Sequence, residues 1–222
     1  MSRTSPPLSQ ANGSSRDIAD NGVKSDLMAS YDAISGAVNG RNAAGWTFWL
    51  HAGVAAAEDR SDPISSGRRR WGALHADFAR LPAHLFGDDD LDGARVLEVG
   101  CGRGGNLLAA SRWFQPRVLI GLDLSGVAAK WVGGALGDAG VVGVQVDAEY
   151  LPIRANGIDA VVCVESAAHY PDRIRFYSEV ASVLPPGGVF YYAEGMPHSH
   201  LAPVAEALEL AGFDLDRLFP DR

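Results

Sequence analysis

An acid and a group of glycines between positions 98 and 104 are the residues of this 222-residue chain best suited to chemistry. Glu98 lies in the apolar segment Arg95–Val99, where an unpaired carboxylate is costly to bury. Gly100, Gly102 and Gly104 follow at once, and a strand that ends in glycines brings backbone N–H groups close to a ligand. Gly100, Gly102 and Gly105 also fit the dinucleotide fingerprint G-x-G-x-x-G, but an acid beside a pyrophosphate is repulsive. The pattern favours a positively charged cofactor, and a structural pair with an arginine is the alternative for Glu98.

Acids also end the next two predicted strands. Asp123 stands where a carboxylate accepts hydrogen bonds from both hydroxyls of a ribose, or where it caps the next helix, a role that Ser125 can fill instead. Asp147, Ala148 and Glu149 end the third strand. There an acid can accept from the exocyclic amine of adenine while the Ala148 N–H meets the ring, and an ordinary turn acid is the alternative. Together these positions predict a site for an adenosyl group.

The composition is that of an ordinary globular enzyme, with 47% hydrophobic and 21% charged residues. A net charge of −8 lacks the basic footprint of a nucleic-acid partner. No apolar stretch approaches the roughly 18 residues of a membrane-spanning helix, and no secretory signal begins the chain. Two cysteines, Cys101 and Cys163, fit a reducing compartment, and no spacing of metal ligands is present. These features predict a cytoplasmic protein that binds neither nucleic acid nor membrane.

The elements that must position these residues are visible as a change of periodicity along the chain. Residues 1–24 are rich in Ser, Asn, Gly and Pro and predict a disordered tail. Residues 25–222 are predicted to form one domain, with a helical lid and substrate region at 25–93 and a cofactor-binding core at 94–222. Apolar residues at helical spacing predict helices over Ser25–Val38 and 67–86.

From residue 94 onward, short apolar strands alternate with helical segments, which is typical of a parallel α/β sheet. The predicted strands are Arg95–Val99, Val118–Leu122, Val141–Val146, Ile158–Val164 and Val189–Ala193. The predicted helices are Asn106–Phe114, Val127–Leu136, Arg173–Leu184 and Leu201–Ala211, the last stopped by Gly212. A sixth strand is predicted at Phe213–Leu218.

The motifs between Ala94 and Phe213 resemble those of class I S-adenosylmethionine-dependent methyltransferases. Val-Leu-Glu-Val-Gly-Cys-Gly-Arg-Gly is similar to the family's first motif, Gly-Leu-Asp-Leu-Ser to its second and Asp-Ala-Glu-Tyr-Leu-Pro-Ile to its third. Leu-Pro-Pro-Gly-Gly resembles the turn before the fifth strand, with Pro185 in place of an arginine. Val-Glu-Ser-Ala-Ala-His-Tyr-Pro-Asp is most similar to small-molecule O-methyltransferases that tailor polyketides, glycolipids and sugars. The resemblance implies a Rossmann-like sheet with helices on both faces and an N-terminal helical lid.

The resemblance also implies roles in binding S-adenosylmethionine. Glu98 and the glycines border the methionine part of the cofactor, and Asp123 binds the ribose with Leu124 beside it. The segment from Asp147 to Glu149 meets the adenine. Tyr31 matches a tyrosine that such enzymes fold over the cofactor from the lid helix.

The acceptor side is assigned by the same resemblance. Glu165, Ser166 and His169 line the end of the fourth strand beside the sulfonium methyl, with Tyr170 next to them. His169 is the candidate base, although many relatives carry a second histidine where this chain has Ala168, and a structural His169 bonded near Tyr170 is the alternative. The acceptor pocket is expected to include Trp46, Trp49 and His51, or these residues are plain packing.

The family's sheet has a seventh, antiparallel strand between strands five and six, and this chain departs from that pattern. Only 29 residues follow Ala193, enough for one helix and one strand. We therefore expect a truncated C-terminus that lacks the seventh strand, with Val189–Ala193 as an open edge. Either Phe213–Leu218 or a homodimer partner is expected to cover that edge.

These observations predict methyl transfer from S-adenosylmethionine to a small-molecule acceptor, a hydroxyl of a secondary metabolite or glycolipid. The alternative is a protein that binds the cofactor without methylating, as an auxiliary subunit or as a repurposed tailoring protein of the cyclase type. A nicotinamide oxidoreductase is disfavoured, because the chain has no Tyr-x-x-x-Lys pair and no separate substrate domain.

Overall fold

The computed structural model describes residues 23–39 and 76–215. In these ranges five strands form one parallel sheet in the order β3-β2-β1-β4-β5. Their bounds are β1 Arg95–Val99, β2 Val118–Asp123, β3 Val141–Gln145, β4 Ala160–Val164 and β5 Val189–Ala193. The chain moves outward in one direction from β1 to β3 and then returns to place β4 on the other side of β1. The carboxyl ends of β1 and β4 therefore flank the point where such sheets open a crevice.

Helices cover both faces of the sheet. The described helices are α1 Val23–Asn39, α2 Ala76–Phe86, α3 Gly105–Trp113, α4 Gly126–Ala135, α5 Arg173–Val183 and α6 Leu201–Leu210. One buried cluster joins the sheet to α2, α3 and α4, and a second cluster on the opposite face joins it to α5 and α6. Phe176 of α5 is fully buried in the second cluster. Truncating such a residue to alanine typically costs about 3–5 kcal/mol, so this layer fixes the sheet firmly.

The predicted parallel α/β fold is confirmed, and β1 and β5 have their predicted bounds. The strand β4 begins at Ala160 rather than at Ile158. Asp159, which precedes the strand, accepts hydrogen bonds through its carboxylate from the backbone N–H and the guanidinium of Arg95, at the start of β1. The helix α1 begins at Val23, two residues before the predicted boundary.

The predicted sixth strand differs from the structure where the two can be compared. Residues 213–215 have no strand structure, and 216–218 lie outside the described residues. Phe213 instead packs its ring on Phe190 of β5, with centroids 5.2 Å apart. In the described ranges, β5 pairs with β4 alone. The side chain of Phe213 thus covers a face of the sheet, and its backbone does not extend the edge.

Within 23–39 and 76–215, no helix combines the length and the apolar composition needed to cross a bilayer.

Candidate functional site

A cleft opens at the carboxyl ends of four strands, with an empty volume of about 970 Å³ that includes the solvent at its mouth. The segments that follow β1, β2, β3 and β4 line it. The helix α1 adds Lys24 and Leu27, and Lys24 contacts the segment after β3. This is the crevice expected at the reversal of strand order. Among the predicted site residues, those that line the cleft are Glu98, Gly100, Gly102, Asp123, Leu124, Asp147, Ala148, Glu149, Glu165, Ser166, His169 and Tyr170.

The turn after β1 is held against the segment after β4. Gly100 has a φ of +68°, and a Cβ added there lies 2.5 Å from the Ser166 Cβ and 2.7 Å from the Tyr170 hydroxyl oxygen. The two hydroxyls are 2.9 Å apart, and the Ser166 hydroxyl also donates to the Val99 carbonyl at 3.3 Å. Both the backbone conformation and the close approach therefore require glycine at position 100.

Glu98 is the most unusual group in the cleft. Its side chain is 2% exposed, and Oε1 accepts a 2.6 Å hydrogen bond from the Asn106 side-chain amide. Its second oxygen, Oε2, has no hydrogen-bond partner among the described residues. Burial raises the pKa of Glu98 to about 8, although the Asn106 side chain and the Leu107 backbone N–H oppose the rise. A buried, half-satisfied acid that lines a cleft suits a cationic group such as an ammonium, so this residue fits the cofactor implied by the motifs.

Asp123 ends β2 with both carboxylate oxygens fixed by backbone groups. Oδ2 accepts from the Gly102 N–H at 2.8 Å, and Oδ1 accepts from the Ser125 N–H at 2.8 Å. Burial raises its pKa, although these two N–H groups oppose the rise. The cap of α4 is Ser125, whose hydroxyl accepts from the Ala128 N–H. Asp123 is therefore not the helix cap, and its carboxylate keeps lone pairs for a further donor such as a ribose hydroxyl.

The segment after β3 carries a pair of acids joined by a lysine. The Lys24 ammonium of α1 lies 2.7 Å from Asp147 Oδ2 and 2.5 Å from Glu149 Oε2. Glu149 is 5% exposed, and its Oε1 accepts from the Asp172 N–H at 2.8 Å. The ring of Tyr150 beside them faces the Lys24 ammonium at 5.5 Å. The helix α1 thus contributes a cation to this end of the cleft.

The segment after β4 presents acid, hydroxyl and imidazole groups. Glu165 has a φ of +48°, which is rare for a residue with a side chain and occurs mostly at functional sites. A 3₁₀ turn over Ala167–His169 carries the exposed His169 to the cleft. The Ala168 N–H of this turn donates at 3.0 Å to Glu194, which follows β5. Burial raises the pKa of Glu194, and the hydrogen bond from the Ala168 N–H opposes the rise. Acid and base chemistry is thus available at this end.

Other predicted residues lie elsewhere. Gly104 does not line the cleft: it precedes α3, and a Cβ on it contacts the Leu136 side chain at 2.9 Å. Tyr31 belongs to α1, and its side chain is outside the described part of the structure. The three residues assigned to an acceptor pocket lie outside the described residues, namely Trp46, Trp49 and His51.

Several cleft residues have no obvious signal in the sequence. Lys24 falls within the segment predicted as tail, and Asn106 is an unremarkable polar residue of a helix start. Arg103 is 1% exposed and places its guanidinium 3.6 Å from the ring centroid of Trp131. For Asn106 the sequence offers an indirect signal. The acid Glu98 in an apolar strand requires a nearby donor once it is buried, and Asn106 is that donor.

Comparison with known proteins agrees with this geometry. Residues 97–192 match the family described as "Methyltransferase domain". This range contains β1 to β5 with the whole turn after β1, apart from the first residues of β1 and the last residue of β5. This part of the chain therefore matches a methyltransferase domain, in agreement with the resemblance of its motifs.

Two curated relatives match just over half of this chain. The fatty-acid O-methyltransferase of Mycolicibacterium smegmatis is 41% identical over 119 residues, which are 54% of this chain and 43% of that protein. The phthiotriol/phenolphthiotriol dimycocerosates methyltransferase of Mycobacterium tuberculosis is 40% identical over 113 residues, which are 51% of this chain and 42% of that protein. The chain matches less than half the length of either relative.

Solved structures share the fold at lower identity. The [4+2]-cyclase SpnF superposes with a TM-score of 0.63 at 24% identity, covering 85% of this chain and 72% of that one. The geranyl diphosphate C-methyltransferase of Streptomyces coelicolor superposes with a TM-score of 0.56 at 20% identity, covering 86% and 73%. These similarities describe the architecture alone.

Proposed function

We propose that this protein transfers a methyl group from S-adenosylmethionine to an oxygen of a lipid-like small molecule. The observation that carries the proposal is the row of acids at the ends of three neighbouring strands. Glu98, Asp123 and Asp147 follow β1, β2 and β3 and line one cleft. The order suits the ammonium, ribose and adenine of one extended cofactor, and Glu98 Oε2 is unpaired among the described residues.

When bound, S-adenosylmethionine supplies a methyl group already activated by a sulfonium charge. The protein therefore needs mainly to align an acceptor oxygen with that methyl. Glu98 holds the ammonium, Asp123 holds the ribose with Leu124 beside it, and Asp147 to Glu149 holds the adenine. Glu165 and Ser166 border the reacting end, and the hydroxyl of Ser166 is already fixed by Tyr170.

His169 is the residue that we assign to proton removal. An acceptor hydroxyl must lose its proton during transfer, and an imidazole ring nitrogen is suited to accept it. His169 lines the cleft on a turn whose Ala168 N–H is held by Glu194. Glu194 thus acts as a positioning residue that fixes the turn and supplies a negative charge to stabilise the imidazolium.

The names of the two relatives guide the choice of acceptor. One is named for fatty acids and the other for phthiotriol lipids. We therefore assign the acceptor to lipids or lipid-linked polyketides that bear a carboxyl or hydroxyl group. A cytoplasmic location and a homodimer remain predictions from the sequence.

A second candidate is cofactor binding without methyl transfer. It is favoured by the similarity of the fold to the [4+2]-cyclase SpnF, since one fold hosts several chemistries. Ala168, where many relatives carry a further histidine, points the same way.

The deciding experiment is incubation of the purified chain with methyl-labelled S-adenosylmethionine and a panel of fatty acids and hydroxylated lipids. We expect label in the organic extract for at least one acceptor. Tight binding of S-adenosylmethionine with no label in any acceptor would favour the second candidate. Absence of binding would overturn both.

The assignment of His169 is tested with the acceptor found in that panel. We expect His169→Ala to lower kcat about 10²–10⁴-fold, the usual range for a lost acid–base group, with little change in cofactor affinity. Glu194→Gln is expected to lower kcat less and to shift the rising limb of the pH profile of kcat to lower pH, because the imidazolium loses a stabilising negative charge, whereas a purely structural role leaves the profile unchanged. A fully active His169→Ala variant would remove the residue from the mechanism.

A further inference from the structure

Charged side chains tie the helix α1 to the cleft at two points, and between them Gln145 at the end of β3 makes a weaker 3.7 Å hydrogen bond to the Met28 sulfur. At its start the Lys24 ammonium contacts Asp147 and Glu149 after β3. Eight residues further on, Asp32 Oδ1 accepts from the Ser125 hydroxyl after β2 and from the Val127 N–H at 3.4 Å. Eight residues of helix span about 12 Å, so the two ties lie across the ends of two neighbouring strands.

The acids that receive Lys24 are held in place without it. Glu149 Oε1 accepts from the Asp172 N–H at 2.8 Å, and Asp147 Oδ1 accepts from the Glu149 N–H at 3.0 Å. The Arg175 guanidinium adds a 2.7 Å bond to the Glu149 carbonyl. The receiving end is therefore part of the sheet and α5 layer, whereas Lys24 belongs to a helix that reaches it from outside.

The contact between Lys24 and its acids is shielded from water. The side chains of Lys24, Asp147 and Glu149 are 15%, 17% and 6% exposed. Burial lowers the pKa of Lys24, but the bonds and charges of the two acids outweigh this and leave the pKa raised above 10.5. The stabilising contribution of the ammonium is therefore complete below pH 10.5 and is lost only as the pH rises through the higher folded-state value.

We propose that Lys24 and Asp32 form a two-point polar latch that holds α1 over the cofactor half of the cleft and sets the rate of cofactor entry and release. The inference rests on the proposed function, because Asp147 and Glu149 are the acids assigned to adenine. Leu27, which lies between the two ties on α1, also lines the cleft. Moving α1 aside requires both ties to break, so the latch controls access to the adenine end.

The first test is lysine acetylation followed by mass spectrometry, without any ligand. The chain has two lysines, Lys24 and Lys130, and the second is exposed on α4. We expect Lys24 to react at least about tenfold more slowly than Lys130, because one in ten or fewer molecules has the latch open. In the double variant Asp147→Asn/Glu149→Gln, the acetylation rate of Lys24 should approach that of Lys130. Equal rates at the two lysines in the unmodified chain would overturn the latch.

The second test is the dissociation rate of S-adenosylhomocysteine, measured by stopped-flow displacement. We expect Lys24→Met to accelerate dissociation about tenfold, and Asp32→Asn to accelerate it less. High ionic strength should accelerate dissociation from the wild-type chain only slightly, because salt screens a partly buried ion pair weakly, and it should have still less effect on Lys24→Met. Lys130→Met is the matched control and should behave as wild type.

The two tests separate the latch from the proposed function. If S-adenosylhomocysteine fails to bind the wild-type chain, the proposed function fails, and acetylation still decides whether the latch exists. If S-adenosylhomocysteine binds, but dissociates from Lys24→Met and from Asp32→Asn at the wild-type rate, the latch does not control release.

Discussion

The two ends of the sheet use carboxylates in opposite ways. At the amino end, Asp159 accepts two hydrogen bonds from the Arg95 guanidinium, at 2.8 and 2.5 Å, and one from its backbone N–H. Arg95 thereby lowers the pKa of Asp159 to about 2. At the carboxyl end, Glu98 is buried with one oxygen unpaired among the described residues, and burial raises its pKa to about 8.

The two acids differ in their partners. Asp159 is paired with an arginine of the fold, whereas one oxygen of Glu98 has no hydrogen-bond partner among the described residues. Asp159 joins the starts of β1 and β4, and Arg95 of the same chain donates hydrogen bonds to both oxygens of its carboxylate. Glu98 lies on β1, only three residues after Arg95, yet its buried carboxyl group has no cationic partner among the described residues. A ligand cation would supply the missing partner, so we expect binding at the carboxyl end of the sheet and not at the amino end.

The largest loss of stability and of cofactor binding is expected from Gly100→Ala at the carboxyl end, in contrast to Gly93→Ala at the amino end. Gly100→Ala places a Cβ 2.5 Å from the Ser166 Cβ and requires a φ of +68°. We expect it to destabilise the chain by about 2–4 kcal/mol and to weaken S-adenosylmethionine binding on the order of 100-fold. Gly93→Ala before β1 has nearly the same φ, +71°, with open space around the Cβ. It should cost only about 1 kcal/mol and leave binding unchanged, as measured by urea denaturation and calorimetry.

Equal binding by the two alanine variants would contradict the account, because it would mean that the approach between Gly100 and Ser166 has no part in the site.

A smaller effect is expected from Asp159→Asn at the amino end. The pKa of Asp159 is depressed, so its stabilising contribution is present above pH 3.8 and is lost as the pH falls towards about 2. The pair is partly exposed and screened by solvent, so the variant should lose only a fraction of the stability lost by Gly100→Ala. Denaturation curves should converge with those of wild type as the pH is lowered, with cofactor affinity unchanged throughout. A loss of affinity would show that the two ends are not independent.

Much of the fold was predictable because the strands are short apolar runs separated by clear turns. In a parallel sheet all carboxyl ends meet at one edge. The sequence alone therefore predicts that Glu98, Asp123 and Asp147 lie close together, and all three line the cleft. The family motifs then fixed their order along the cleft.

The rest depended on contacts between distant parts of the chain. Lys24 lies 123 residues from Asp147, and no local pattern connects a residue of the predicted tail to an acid after β3. Glu194 reaches the turn of His169 only because β5 lies beside β4. Phe213 was predicted as a strand residue from its apolar neighbours, but packing of its ring on Phe190 decided the outcome.

The most direct test of the account is calorimetric titration of S-adenosylmethionine into the wild-type chain and into Glu98→Gln across a series of pH values. Glu98 is protonated below about pH 8 in the free protein, and a bound cation favours its charged form. The ratio of wild-type to variant affinity should therefore rise with pH, by at most about tenfold per pH unit, and level off above about 8. Titration of the ligand itself is common to both proteins and cancels in the ratio. A ratio that does not change with pH, or no binding to the wild-type chain, would contradict the claim that Glu98 is an acid awaiting a cationic cofactor.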